Sequence, residues 1–127
     1  MNQTVCVPKF DERNGLVPVV VQDYYTGLVL MLAYTRKVEY LETLATGEAV
    51  FYSRSRKKRW KKGEEKSGNI LLVHGVSTNC YDDSLLYKVS QTKRDSGACH
   101  TGKPTCFYRS VVGEHEVTCV CAVHERI

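Results

Sequence analysis

This chain lacks any apolar run near the roughly 20 residues that a membrane-spanning helix needs, which argues against a helical membrane protein. Its opening, MNQTVCVPKF, lacks both a basic start and an apolar core. No secretory signal is therefore expected, and the expectation is a soluble, cytoplasmic protein with no membrane partner. No linker, internal repeat or low-complexity segment interrupts the 127 residues, and a second domain would need roughly 100 more, so one domain over 1–127 is expected. What is present suffices for a core, since 43% hydrophobic residues against 25% charged does not describe a disordered tail.

Six cysteines stand at positions 6, 80, 99, 106, 119 and 121. Without export, and with enough chain to fold unstapled, they read as reduced thiols rather than disulfides. Such thiols are core filler, metal ligands or nucleophiles, and spacing must choose among them. Charge is equally uneven. The formal net charge is +4, but the stretch 54–66 (RSRKKRWKKGEEK) holds eight of the 18 basic residues and two of the 14 acidic ones. That stretch carries +6 on a body of −2, a pattern that calls for a local anionic partner.

The order of elements reads as mostly strand with one helix. Residues 16–22 (LVPVVVQ) are β-branched and nearly continuous, with Pro18 placing the strand at an edge or Pro18 itself at a strand start. Turn chemistry at 23–27 leads to a return strand over 28–33. Tyr34, Val38, Leu41 and Ala45 then recur at steps of four, three and four, one apolar face of a helix, with Thr35 as its cap and Gly47 at its left-handed end. Further strands are expected at 49–53, 70–76 and 84–91, and a final hairpin at 106–112 and 116–123. The fold class is α+β, with a mostly antiparallel or mixed sheet and one clear helix.

The sharpest local signal is Cys99-His-Thr-Gly-Lys-Pro-Thr-Cys106. A turn containing Gly and Pro lets both sulfurs face one point, and thiolates suit zinc. This separation is not a common zinc-finger spacing, so a shared metal and two unrelated loop cysteines both stay open. A third ligand would have to come from elsewhere, and Cys80, in the polar segment 78–83 (TNCYDD), is the candidate. Three protein ligands leave one position for water, as in catalytic zinc sites. His100, adjacent to Cys99, is a candidate proton carrier near neutral pH, with a hydrogen-bonded loop histidine as the plainer reading. His74, His115 and His124 read as structural or exposed, Cys119 and Cys121 as sheet packing on one strand face, and Cys6 as unpartnered. The cationic loop has three readings. With Tyr52 and Trp60 interleaved it suits single-stranded nucleic acid; with Ser53 and Ser67 it suits the phosphates of a small metabolite; or it is merely solvated.

Taken together, these residues resemble the phosphoribosyl-AMP cyclohydrolase family, enzymes of histidine biosynthesis. The matching stretches are LVPVVVQDYYTGLVLMLAY (16–34), TGEAVFYSRSRKKRWKKGEEKSGN (46–69), NCYDDSLL (79–86) and ACHTGKPTCFY (98–108), which cover most of residues 10–108 in family order. The C-H-x-G-x3-C and Y-S-R-S-R…W-x-K-G-E…S-G elements are specific in combination. The resemblance implies an intertwined homodimer with active sites at the subunit interface, each zinc held by Cys80 of one chain and by Cys99 and Cys106 of the other. It also implies hydrolysis of the N1–C6 bond of 1-(5-phosphoribosyl)-AMP.

For that reaction, the place of His100 beside Cys99 makes it the expected catalytic proton carrier. A +6 loop matches a substrate with two phosphate monoesters. Ser53, Arg54, Lys62 and Ser67 are its expected contacts, with Trp60 packing near base or ribose. The family also assigns three aspartates around its first zinc cysteine to magnesium. Here those positions are Asn79, Tyr81 and Asp83, so Asp83 is the one carboxylate left, and neutral Tyr81 is a poor ligand for a cation that prefers hard oxygens. Asp82 is the candidate to compensate, although its side chain is expected to start from the opposite face of an extended segment. This departure keeps alive a diverged zinc hydrolase acting on another purine nucleotide. A single-stranded nucleic-acid binder with a structural zinc is the remaining, less favoured alternative.

Overall fold

The computed structural model describes residues 6–113. The 116–123 half of the expected hairpin, with Cys119, Cys121, His115 and His124, lies outside the described residues. Strand β1 (Val17–Asp23) sends Val17, Val19, Val21 and Asp23 into the core and leaves the alternate residues half-buried, the period-2 pattern of a strand with one face covered. It pairs antiparallel with β2 (Val29–Thr35) through the 23–28 turn, which the Asp23 carboxylate holds by accepting from Thr26 N and Thr26 Oγ1, both at 2.8 Å. After helix α1 (Lys37–Thr46), β3 (Val50–Ser53) and β4 (Lys58–Lys61) make a two-stranded sheet. Strands β5 (Leu71–Thr78) and β6 (Leu85–Gln91) complete a four-stranded sheet of order β2-β1-β6-β5. Because β1 and β6 run parallel and the other pairs antiparallel, the sheet is mixed, as expected.

Pro18 sits at the start of a central strand, not on an edge. Pairing with β6 begins one residue later, at Val19 opposite Leu85, so the missing proline N–H costs the β1–β6 ladder no bond. Val17, Val19, Val21, Leu30, Phe51, Leu71, Tyr87 and Val89 build the core between the sheet, the β3–β4 hairpin and the helix.

Helix α1 departs from its expected orientation. Tyr34 belongs to β2, and Val38 and Leu41 are 65% and 50% exposed, while Glu39 and Thr43 are the residues turned inward. Those polar groups are satisfied where they lie. Glu39 accepts from the Arg36 backbone N–H (3.1 Å) and pairs with the Arg36 guanidinium, and the Thr43 hydroxyl accepts the Val50 N–H (3.0 Å). Glu39 thereby places the N-cap at Arg36 rather than at Thr35, whose hydroxyl donates to the Arg36 carbonyl (2.9 Å). Gly47 ends the helix in the left-handed conformation, as expected.

Two further differences bear on the site. The cationic stretch contains a strand, β4, whose charged composition conceals it; Trp60 packs on Phe51 with centroids 5.7 Å apart. Residues 106–112 form no strand. Cys106 N–H donates to the Leu30 carbonyl (2.8 Å), but the next amide, Phe107 N–H, is taken by Thr105 Oγ1 (3.0 Å), and the ladder stops. Among the described residues no helix is long and apolar enough to cross a membrane.

Candidate active site

The segment after β6 makes a short 3-10 turn (Arg94–Ser96) and enters the cysteine loop at Gly97. A Cβ there would lie 2.4 Å from the Gly102 carbonyl oxygen, so only glycine lets the loop close on itself. Closure is completed by Cys99 N–H to the Lys103 carbonyl (3.1 Å) and Gly102 N–H to the Cys99 carbonyl (2.9 Å). Thr105 Oγ1 and Cys106 N–H then dock the far side of the loop on the Val29 and Leu30 carbonyls.

The two thiols meet and shift in opposite directions. Hydrogen bonding from Thr101, whose hydroxyl lies 3.1 Å from the sulfur, lowers the pKa of Cys99, with Cys106 and Lys62 adding to it. Desolvation and then the neighbouring Cys99 push the Cys106 thiol up to about 11. Two neighbouring sulfurs are a donor pair that a soft divalent cation suits. The Lys62 ammonium, 7% exposed, is lowered by burial and drawn back by the two thiols.

The cationic hairpin forms the facing wall. Arg59 is committed to Glu42 of the helix through two hydrogen bonds (2.8 and 2.6 Å) and to Glu64 (3.5 Å), and these hold its guanidinium pKa above the ordinary value. Lys61 pairs with Glu48. Those two cations fasten the hairpin to the body, while Arg56, Lys58 and Lys66 face the cavity without an ion-pair partner among the described residues.

A cavity of about 630 Å³ lies between hairpin and cysteine loop, and it gathers Ser53, Trp60, Lys62 and Ser67 with Cys99 and His100. Arg54 is not in its lining; its guanidinium stacks 3.8 Å from the centre of the Tyr34 ring. Sequence reasoning missed the residue that joins the two walls. Asn69, fully buried, donates to the Gly97 carbonyl (3.2 Å) and Gln91 Oε1 (3.0 Å) and accepts the Lys93 N–H (2.9 Å). Its one signal in the sequence is the Ser-Gly-Asn turn that closes the cationic stretch. Gly63, where a Cβ would lie 2.4 Å from the Asn69 carbonyl oxygen, lets the hairpin close against it.

Cys80 is elsewhere. It is exposed in the turn joining β5 to β6, at the end of the sheet where Thr78 pairs with Leu85, while the cysteine loop lies at the opposite end, beyond Gln91. Seven residues of β6 separate the two ends, about 20 Å at the usual strand rise. Consistent with this, no group of three or more His, Cys, Asp or Glu side chains among the described residues gathers closely enough to hold a metal ion. Nor do the residues around Cys80 fit magnesium. Asn79 Oδ1 accepts Asp83 N–H (2.9 Å) and Ser84 N–H (3.2 Å), its amide donates to Asp83 Oδ1 (2.6 Å), and the Tyr81 side chain is exposed. A hard cation needs several converging oxygens, whereas Asn79 Oδ1 and Asp83 Oδ1 are spent on this turn and no group of three or more such side chains gathers here among the described residues.

A family model described as phosphoribosyl-AMP cyclohydrolase matches residues 31–108. A phosphoribosyl-AMP cyclohydrolase of Methanospirillum hungatei JF-1 is 50% identical over 112 residues, 88% of this chain and 82% of that protein. One from Methanoregula boonei is 51% identical over 105 residues, 83% of this chain and 81% of that protein. The histidine biosynthesis bifunctional protein HisIE of Aquifex aeolicus is 50% identical over 105 residues, 83% of this chain but 49% of that longer protein.

Proposed function

The chain belongs to the phosphoribosyl-AMP cyclohydrolase family, hydrolases of histidine biosynthesis, and from that premise we propose that it opens the adenine ring of 1-(5-phosphoribosyl)-AMP by adding water across the N1–C6 bond. The observation that carries this reading is that one cavity sets Cys99 and His100 across from Trp60, Ser67 and cations that have no ion-pair partner among the described residues. Its size and its charge suit a nucleotide bearing two phosphate monoesters.

The metal in this reading is zinc, held by Cys99 and Cys106 of one subunit and Cys80 of the partner subunit. When bound, zinc supplies Lewis-acid activation of a water molecule. The protein's own residues do the rest. Arg56, Lys58, Lys66 and Ser67 hold the phosphates, and Trp60, braced on Phe51, offers a flat face to base or ribose. Ser53 lines the same wall, and Arg54, stacked on Tyr34, acts from its margin. Lys62, buried beside the thiols, serves as their counter-charge, so its part in substrate binding is indirect. His100, exposed at the cavity edge, takes the proton from the attacking water and delivers one to N1 as the N1–C6 bond breaks, leaving C6 as a carboxamide.

The third thiol requires a second copy, because one chain keeps Cys80 at the far end of its sheet. Leu32, Val38, Leu41 and Leu44, each at least 50% exposed, supply apolar surface for that association. The deciding experiment is a direct assay of the purified protein on 1-(5-phosphoribosyl)-AMP, before and after a zinc chelator and again after zinc is restored. Turnover that disappears and returns with zinc is expected. No ring opening by the zinc-loaded protein would end the proposal.

A further inference from the structure

Cys80 rides on a turn in which one side chain makes three hydrogen bonds. Asn79 Oδ1 accepts Asp83 N–H and Ser84 N–H, and its amide donates to Asp83 Oδ1. The Asn79 backbone adds two more, N–H to the Ser84 carbonyl (3.1 Å) and carbonyl from Asp82 N–H (3.1 Å). Outside this clasp, Thr78 Oγ1 donates to the Ser84 carbonyl (3.2 Å) and Lys9 N–H to the Asp82 carbonyl (2.6 Å). The clasp holds Asp82 in the left-handed region, at φ 59°. That is a sparsely populated conformation for a residue with a side chain, and it needs surrounding bonds to sustain it.

The charge balance at this turn explains what the amide does. A carboxylate at position 79 would face the Asp83 carboxylate at hydrogen-bond distance, and two like charges so close need a cation between them. The neutral amide presents N–H to Asp83 instead and keeps its oxygen for two backbone donors. We infer that Asn79 is a positioning residue: its side chain, in place of a divalent cation, holds the turn that presents Cys80 to the metal site. The inference rests on the reading of Cys80 as a zinc ligand. It follows that zinc binding is indifferent to magnesium in this protein, and that Asn79→Asp would create a dependence the parent chain lacks.

The test uses the full-length zinc protein and three measurements. Zinc affinity is read by competition with a chromophoric chelator, backbone amide shifts of residues 79–84 during a magnesium chloride titration at constant ionic strength, and hydrogen exchange at Asp83 and Ser84. For the parent protein, zinc affinity that does not change with magnesium and no saturable shift are expected. Asn79→Ala should lose about tenfold in zinc affinity, the lower range for groups that orient a metal ligand, with faster exchange at both amides and no recovery by magnesium. Asn79→Asp should show a similar loss that magnesium reverses. Saturable magnesium shifts at 79–84 in the parent, or an Asn79→Ala protein with undiminished zinc affinity, would overturn the inference while leaving the zinc reading intact. A parent protein that takes up no zinc would remove both, and that outcome is distinguishable because it appears before any substitution is made.

Discussion

Cys80 stands in the β5–β6 turn and the Cys99–Cys106 pair in the loop that follows β6, and the three do not gather in one chain, whereas two sulfurs on one tetrahedral zinc lie within about 4 Å. A site using all three must draw on two chains, and complementation tests this. A Cys80→Ala chain keeps its cysteine loop, and a Cys99→Ala chain keeps its Cys80. Each homodimer has two broken sites. A heterodimer, co-expressed with two tags and purified through both, has one site with all three thiols and one with neither complete half. It should recover about half of the parent turnover and bind zinc tightly at one site of two. The checks are steady-state hydrolysis of 1-(5-phosphoribosyl)-AMP and zinc content per dimer. A heterodimer as inactive as its parents, or a Cys80→Ala homodimer with full zinc and full turnover, would refute the shared site.

Three further outcomes are expected. His100→Ala should lower turnover roughly 10²–10⁴-fold with zinc content unchanged, and equal turnover would remove the histidine from proton transfer. Asn69→Ala removes three side-chain hydrogen bonds that join Gly97, Gln91 and Lys93, and should cost about 2–4 kcal/mol in chemical denaturation; a change under half of that would mean that the loops hold without it. Burial drives the Glu39 carboxyl upward, but Arg36 more than reverses this and leaves it below the usual value of 4.5. Its contribution is therefore present above that value and lost as pH falls through the lower folded one, so the denaturation midpoint should decline as pH falls below the usual value of 4.5. Glu39→Gln should flatten that decline, and an unaltered acid limb would count against the pairing.

Local periodicity carried much of the fold into plain view. The β-branched run in 16–22, the strand expected at 84–91, the turn at 23–27 and Gly47 at a helix end are short-range features, and β1, β6, the hairpin and the C-cap follow them within a residue or two. The cysteine loop was legible for the same reason, since Gly and Pro between two nearby thiols describe a turn whatever surrounds it. Strand β4 was not, because its packing is long-range: Trp60 rests on Phe51, and Arg59 and Lys61 are neutralised by Glu42 and Glu48 from the helix and the residues after it.

Spacing alone thus indicated which residues share a strand face or a turn, and it marked Cys99 to Cys106 as a candidate motif. Packing decided what those faces meet. Val38 and Leu41 form the stripe that the pattern shows, yet they point outward because Glu39 and Thr43 find partners inside. Lys62 and its neighbour Lys61 look alike in the chain, but one is buried against two thiols and the other is paired with Glu48. Whether Cys80 joins Cys99 within a chain or across two is a question of sheet order and strand direction. Those depend on contacts between distant residues, and no local pattern encodes them.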